Sequence, residues 1–237
     1  MLNLRNKKIL IIAPHPDDEI LGAGGLINRA KREGGKVFIL YLTVGDTHDF
    51  SKNGFSSKDK RIREIKKVSE FLKFDGYKIA FPGDNFHLRL DNMPQKVLIN
   101  EIERGKDISL EVLKPDFVIA PSNDDYNQDH RAASNALITA TRPSPITFKS
   151  LQKAVLFYEG PQNSWSNNHG LLMPDLFVEL TKNDLEAKIK ALSFYKSQIK
   201  HPFSTVSPKI VKMFACLRGA QSGVCQAEAF FTRRILV

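Results

Sequence analysis

The feature that most constrains this chain is a run near its start, Lys8-Ile-Leu-Ile-Ile-Ala13, that is apolar at every position from Ile9 onward and stops abruptly at Pro14-His15-Pro16-Asp17-Asp18-Glu19. Continuous rather than alternating apolar residues suit a strand covered on both faces, as in a parallel sheet between helices. Ile20–Arg32 then predicts a helix, with Leu21, Leu26 and Ile27 among its apolar positions and Gly34-Gly35 after its end. Lys36–Val44 is a second buried run. Strand, helix and strand within 45 residues predict a right-handed βαβ unit.

The alternation continues. Gly45–Lys58 reads as a polar loop, Asp59–Lys73 as an amphipathic helix, Tyr77–Phe81 as a strand and Lys96–Leu113 as a helix ended by Pro115. Phe117–Ala120 is another buried strand, followed by a polar segment and a helix over Arg131–Thr141. Strands over Ala154–Tyr158 and Leu176–Leu180 follow. A helix over Asp184–Ile199, capped by Thr181 or Asn183, a helix over Lys209–Gly219 and a last strand over Ala227–Phe231 complete the pattern. The expected fold is a three-layer α/β/α arrangement around a mostly parallel sheet. No repeat, low-complexity stretch or linker interrupts it, so residues 1–237 read as one domain.

Composition narrows the partners. Apolar runs such as Lys36–Val44 are far shorter than the ~18–20 residues of a membrane span. Ile9–Ala13 is too short for a signal-peptide core. Cys216 and Cys225 form neither a disulfide framework nor a CxxC pair, which points to a reduced, cytoplasmic protein. Lys and Arg number 35 against 26 Asp and Glu, a net charge of +9 that favours an anionic substrate such as a phosphate-linked one. The basic residues are scattered and not interleaved with aromatics, so nucleic acid is not expected as a partner. Assembly of identical copies is left open.

Ligands of open α/β sheets bind beyond the carboxyl ends of strands. Two such ends carry unusual chemistry here: Pro14–Glu19 after the first strand and Asn127-Gln128-Asp129-His130 after the Phe117–Ala120 strand. Three adjacent acids repel one another, and a divalent cation removes that cost. His15 and Asp18 in one tight turn, with His130 from the other strand end, make a three-ligand set suited to Zn2+ with a position left for water. Asp17 is then free to act as general base. The plainer alternative is an ordinary strand-to-helix turn with Asp17 or Asp18 as an N-cap, and a structural His130. A dinucleotide fingerprint fails: Gly22-Ala-Gly24-Gly25 has the wrong spacing, and acids occupy the turn where a pyrophosphate would sit.

Pro14-His-Pro-Asp-Asp-Glu19 before a glycine-rich helix start, with Asp129-His130-Arg131 after a middle strand, resembles the PIG-L/LmbE-like family of zinc-dependent N-deacetylases. Arg63-Glu64, Arg142-Pro143, Tyr158-Glu159, Lys188 with Ser197-Gln198, and Ala227–Phe230 extend the likeness over most of the chain. The resemblance implies a Rossmann-like fold and removal of acetyl groups from N-acetylglucosamine-type sugars or their conjugates. It implies His15, Asp18 and His130 as zinc ligands and Asp17 as general base. Many members carry a histidine where this chain has Asn127, and Asp84-Asn85 with Arg89-Leu90-Asp91 resembles a branch with Asn there. An amide donates a hydrogen bond to an oxyanion but delivers no proton at neutral pH. The expected roles are therefore Asn127 as oxyanion donor and Asp17 as base and then acid. Asp129 would orient His130 or a neighbouring group, and Arg63 and Arg89 would contact substrate. Trp165, in a polar loop, reads as ordinary packing in preference to a sugar-stacking surface. Were Asn127 not to face the carbonyl, His48 or His201 would have to supply the missing function. The sequence is also compatible with two other readings: a metal-dependent amidase acting on a non-sugar amide, and a binding protein with a vestigial metal site.

Overall fold

Buried strands and amphipathic helices alternate along the chain much as their patterning requires. The structure, a computed structural model, describes residues 3–48, 54–165, 173–198 and 201–236. The elements are β1 (Lys8–Ala13), α1 (Asp18–Arg32), β2 (Lys36–Val44), β3 (Thr47–His48), β4 (Phe55–Ser56), α2 (Lys58–Leu72) and β5 (Gly76–Pro82). There follow a 3-10 turn (Leu90–Asn92), α3 (Gln95–Arg104), α4 (Leu110–Leu113), β6 (Phe117–Pro121), α5 (Gln128–Ala140) and β7 (Ala154–Tyr158). β8 (Leu176–Glu179), α6 (Lys182–Leu192), α7 (Pro208–Ser222) and β9 (Ala227–Ile235) complete the described chain.

The main sheet has seven strands in the order β5-β2-β1-β6-β7-β9-β8. Every pairing from β5 through to β7 is parallel, while β9 runs antiparallel to both β7 and β8. Neighbouring residues of β1 serve opposite layers. Ile9, Ile11 and Ala13 join a core with α1, α2 and α6, and Leu10 and Ile12 join one with α3, α4 and α5. That two-sided burial is why the run is apolar at consecutive positions. β1 is flanked by β2 on one side and β6 on the other, so successive connections depart in opposite directions there. Such a switch point opens a crevice at the carboxyl ends of the two strands.

Three segments differ most from the expectation, while α5 begins three residues earlier at Gln128 and β9 runs on to Ile235. The helix expected over Lys96–Leu113 is two, because α3 ends at Gly105, Asp107 has a positive φ of 69°, and the Ser109 hydroxyl caps α4 by accepting from the Val112 N–H. The helix expected over Asp184–Ile199 stops at Leu192, and Tyr195 turns fully inward; Ile199 lies outside the described residues. The loop over Gly45–Lys58 contains the small β3–β4 ribbon. Thr181, not Asn183, caps α6, in a reciprocal capping box with Asp184. Among the described residues no helix is long and apolar enough to cross a membrane.

Candidate metal centre and active site

The turn after β1 is held in a conformation that few residues adopt. Asp17 has φ 106° and ψ −24°, left-handed backbone for a side-chain-bearing residue. It occupies the N-cap position of α1 without its carboxylate capping the helix. Its carbonyl instead accepts from Ile20 and Leu21. Strain of this kind persists where surrounding structure over-determines it. The Asp18 carboxylate thus faces two imidazoles, and that of Asp17 leaves the helix end uncapped. α1 can begin here because its first turns lie hard against neighbours. A Cβ on Gly22 would stand 2.3 Å from the Tyr158 ring, and one on Gly25 would stand 2.4 Å from Leu180.

His15, Asp18 and His130 meet at the β1/β6 crevice, with one ligand-type atom from each within 4.8 Å of the others. His15 Nδ1 lies 3.4 Å and His130 Nε2 3.1 Å from Asp18 Oδ2. All three residues are buried. The far nitrogen of each ring is held by a carboxylate: His15 Nε2 by Asp129 at 2.9 Å, His130 Nδ1 by Asp125 at 2.6 Å. Carboxylate-backed imidazoles with their other nitrogens converging on a third ligand fit a divalent cation. Nitrogen and carboxylate donors in a set of three suit a catalytic zinc-type ion. In the metal-free cluster a proton supplies the positive charge. Burial opposes charging His130, but Asp18 and Asp125 outweigh it and raise its pKa to about 10. Burial alone would raise Asp18; His130 and His15 outweigh it and hold its carboxyl well below the ordinary range.

Asp17 moves the other way. Burial, then Asp18, push its pKa well up, with Glu19 adding to the rise; Arg61 and His130 pull against them. Arg61 is buried on α2 and donates to the Gly45 carbonyl, Thr47 Oγ1 and His87 Nε2, the last at 2.7 Å. Burial and the Arg61 charge lower the pKa of His87 to about 3, so its imidazole is neutral. With Nε2 accepting, the proton sits on Nδ1, which is buried and has no partner among the described residues. The His87 and His15 rings meet edge to face at 5.3 Å. Behind the turn, Glu19 is fully buried, accepts from the Tyr195 hydroxyl at 2.5 Å and from the Asp17 N–H, and has its pKa raised by burial to about 7.

The other residues singled out from sequence fall on both sides of the crevice wall. Asn127 is the N-cap of α5; its Oδ1 accepts from the Asp129 N–H at 2.9 Å, which leaves Nδ2 as the donor. Asp129 holds His15, and it is Asp125 that holds His130. Arg63 is exposed on α2, and the arginine of that helix turned toward Asp17 is Arg61, two residues earlier. Arg89 is exposed beside the 3-10 turn. His48 and His201 are exposed. Trp165 is 72% exposed, so it is not packing residue. Asp125, Arg61 and His87 were missed. Asp125 stands in the same polar segment as His130, five residues before it, and His87 stands between Asp84-Asn85 and Arg89-Leu90-Asp91, the two pieces that resemble one branch of the family. No local pattern distinguishes Arg61 from Arg63 except helical phase, which puts Arg61 in register with Ile65 and Val68 on the buried face.

Residues 10–141, more than half the chain, match the model of a family described as PIG-L, GlcNAc-PI de-N-acetylase. The chain is 25% identical over 196 residues to the uncharacterized deacetylase YaiS of Escherichia coli, covering 81% of this chain and 92% of the relative. It is 24% identical over 227 residues to the diacetylchitobiose deacetylase of Thermococcus kodakarensis, covering 94% and 81%. Among solved structures, the conserved protein TT1542 of Thermus thermophilus superposes with a TM-score of 0.72 at 29% identity, covering 100% of this chain and 97% of that one. GalB, a 4-carboxy-2-hydroxymuconate hydratase from Pseudomonas putida, superposes equally well, with a TM-score of 0.72 at 19% identity and 98% of each chain covered. This second likeness shows the shared fold and nothing of the chemistry.

Proposed function

The chain belongs to the PIG-L family, and from that premise and the site's geometry we propose that it is a zinc-dependent N-deacetylase acting on an N-acetylglucosamine-type sugar or sugar conjugate. The observation that carries the reading is the convergence of His15, Asp18 and His130, both imidazoles backed by carboxylates, beside the Asp17 carboxylate, which does not cap α1. His15 Nδ1, Asp18 Oδ2 and His130 Nε2 would hold the ion. A dication there supplies Lewis-acid polarisation of an amide carbonyl and acidifies a water.

The chain's own groups handle the rest. Asp17 takes a proton from the attacking water and passes it to the departing amine, one carboxylate serving as base and then acid. The Arg61 charge, one of the two forces that lower the Asp17 pKa, keeps the base form accessible against burial. Asn127, with Oδ1 committed to the α5 cap, offers Nδ2 to the developing oxyanion. Asp129 and Asp125 fix the two rings, and their tie to the Leu90 N–H and to Asn163 anchors them in turn. Neutral His87 with Arg61 walls the side of the crevice nearest His15. Diacetylchitobiose deacetylase among the relatives supports the sugar assignment.

The test is acetate release by metal-replete protein across N-acetylated monosaccharides, chito-oligosaccharides, nucleotide sugars and lipid-linked sugars, with N-acetylated amino acids and aryl amides beside them. Release from at least one sugar class is expected. Hydrolysis confined to the non-sugar amides would replace the sugar reading by a general amidase, and hydrolysis of none with zinc bound would overturn it.

A further inference from the structure

The rim of the crevice carries two exposed aromatic rings that the chemistry above does not use. Tyr126 directly precedes Asn127, and Trp165 lies in the turn that follows β7. Their centroids are 5.5 Å apart, with the planes tilted by 35°. Trp165 is 72% and Tyr126 49% exposed.

Both rings hang from segments fixed to the metal-site scaffold. Asp125 Oδ2, which holds His130 Nδ1, also accepts from Asn163 Nδ2 at 2.7 Å, so the turn carrying Trp165 is tied to the segment carrying Tyr126. Trp165 Nε1 donates to the Gln162 carbonyl at 3.0 Å, which pins the indole edge and offers its face. Burial and then the carboxylates Asp125, Asp18 and Asp17 raise the Tyr126 pKa, which places its phenol within the field of the cluster. Large exposed rings held at fixed tilt lose little freedom on binding. A pyranose has an apolar C–H face that such a ring covers and hydroxyl edges that stay in water.

We propose that Tyr126 and Trp165 form a platform for a sugar ring linked to the one that is deacetylated, which makes a di- or oligosaccharide the preferred substrate. The proposal rests on the deacetylase reading. Its reasoning is one of position: the acetamide must reach the buried Asp18 and His130, and the exposed pair stands on the two segments that Asp125 ties to that cluster, where a ring attached to the deacetylated one would meet it.

Trp165 is the only tryptophan in the sequence, so intrinsic emission reports on the platform directly. Metal-free full-length protein is titrated with N-acetylglucosamine, its β-1,4 dimer and its trimer, and with an N-acetylated amino acid. The dimer and trimer are expected to change the emission at concentrations roughly tenfold below any response to the monosaccharide. Tyr126→Ala keeps the probe and should weaken dimer binding roughly three- to tenfold, the range of an aromatic contact. In turnover, Trp165→Ala should raise KM for the dimer by a similar factor, shift that of the monosaccharide less, and leave kcat for the dimer little altered. Emission indifferent to every saccharide, with acetate still released, would overturn the platform and leave the deacetylase standing. An equal response to the N-acetylated amino acid would overturn the saccharide assignment. A dimer-specific response with no acetate released from any sugar would instead overturn the deacetylase reading and uphold the sugar-binding pair.

Discussion

Asp17 and Asp18 are adjacent, both carboxylates, and driven in opposite directions by their neighbours: Asp18 lies between two imidazoles, and Asp17 lies against Asp18 with Arg61 as its counterweight. Asp17→Asn should therefore retain zinc, measured by metal analysis, and lose roughly 10²–10⁴-fold in acetate release. Near-normal turnover would remove Asp17 from the proton path. Asn127 has two separable tasks. Asn127→Ser keeps a capping oxygen and should cost only a few tenths of a kcal/mol in urea unfolding. It removes the amide donor, for which a loss of roughly 10²–10³-fold in kcat is expected. If both quantities stay at wild-type levels, Asn127 is a cap and nothing more. His130 gives the pH dependence. Its pKa is about 10 in the folded metal-free protein against 6.5 unperturbed. A raised folded pKa contributes stability that is complete below about pH 6.5 and is lost as pH rises toward 10. The unfolding free energy of metal-stripped protein should decline across that window by a few kcal/mol, and that of His130→Gln should lack this component. Zinc binding displaces the same proton, so affinity should rise over the same interval. Parallel profiles for the two proteins would show that His130 carries no such proton.

At the scale of elements, the site depends on how closely α1 approaches the sheet. The Gly22 position leaves no room for a methyl group against Tyr158, so Gly22→Ala should destabilise the protein by about 1–3 kcal/mol and weaken metal binding by shifting Asp18. Unaltered stability and zinc affinity would show that Tyr158 yields freely. α1 is also clamped by charge. Glu228 on β9 accepts from the Gly25 and Leu26 N–H groups and from Lys188 of α6, which itself donates to the Leu21 carbonyl. Lys188→Met leaves a buried carboxylate without its cation, for an expected cost of roughly 3–5 kcal/mol, part of which Glu228→Gln in the same chain should recover. Lys188, Glu228, Glu64 and Ser197 carried much of the family likeness outside the two motifs. The structure makes them cross-links, with Ser197 donating to Glu64 from its N–H at 3.0 Å and its hydroxyl at 2.5 Å. Elements of uniform apolar patterning were legible from sequence to within a residue or two, as in β1, β2 and β7. The break between α3 and α4 was not, because Ile102 and Leu110 lie on both sides of it in one apolar layer and mask the interruption at Gly105.

At the scale of the whole molecule, the metal centre joins two chain segments more than a hundred residues apart, one after β1 and one after β6. An ion held there would bridge the two halves of the sheet. Stripping zinc with a chelator should lower Tm, and restoring it at a hundredfold excess over Kd should return roughly 2.7 kcal/mol, or about 5–10 °C for a protein of this size. An unchanged Tm would mean that the ion is not held in the folded state. The sequence by itself determined the class of fold, since only a sheet covered on both faces accommodates continuous apolar runs alternating with amphipathic helices. It also singled out His15, Asp18 and His130 as a candidate ligand set, because acids and imidazoles gather at two strand ends, and the resemblance of the flanking motifs favoured that set over an ordinary turn. Tertiary structure alone decided which carboxylate serves which histidine, why Arg61 and not Arg63 stands beside Asp17, and that His87 enters the site while His48 and His201 stay outside. Those outcomes depend on helical phase, on the strand order that makes β1 and β6 neighbours, and on burial. None of these is a property of a residue and its neighbours along the chain; each is set by what packs across from it.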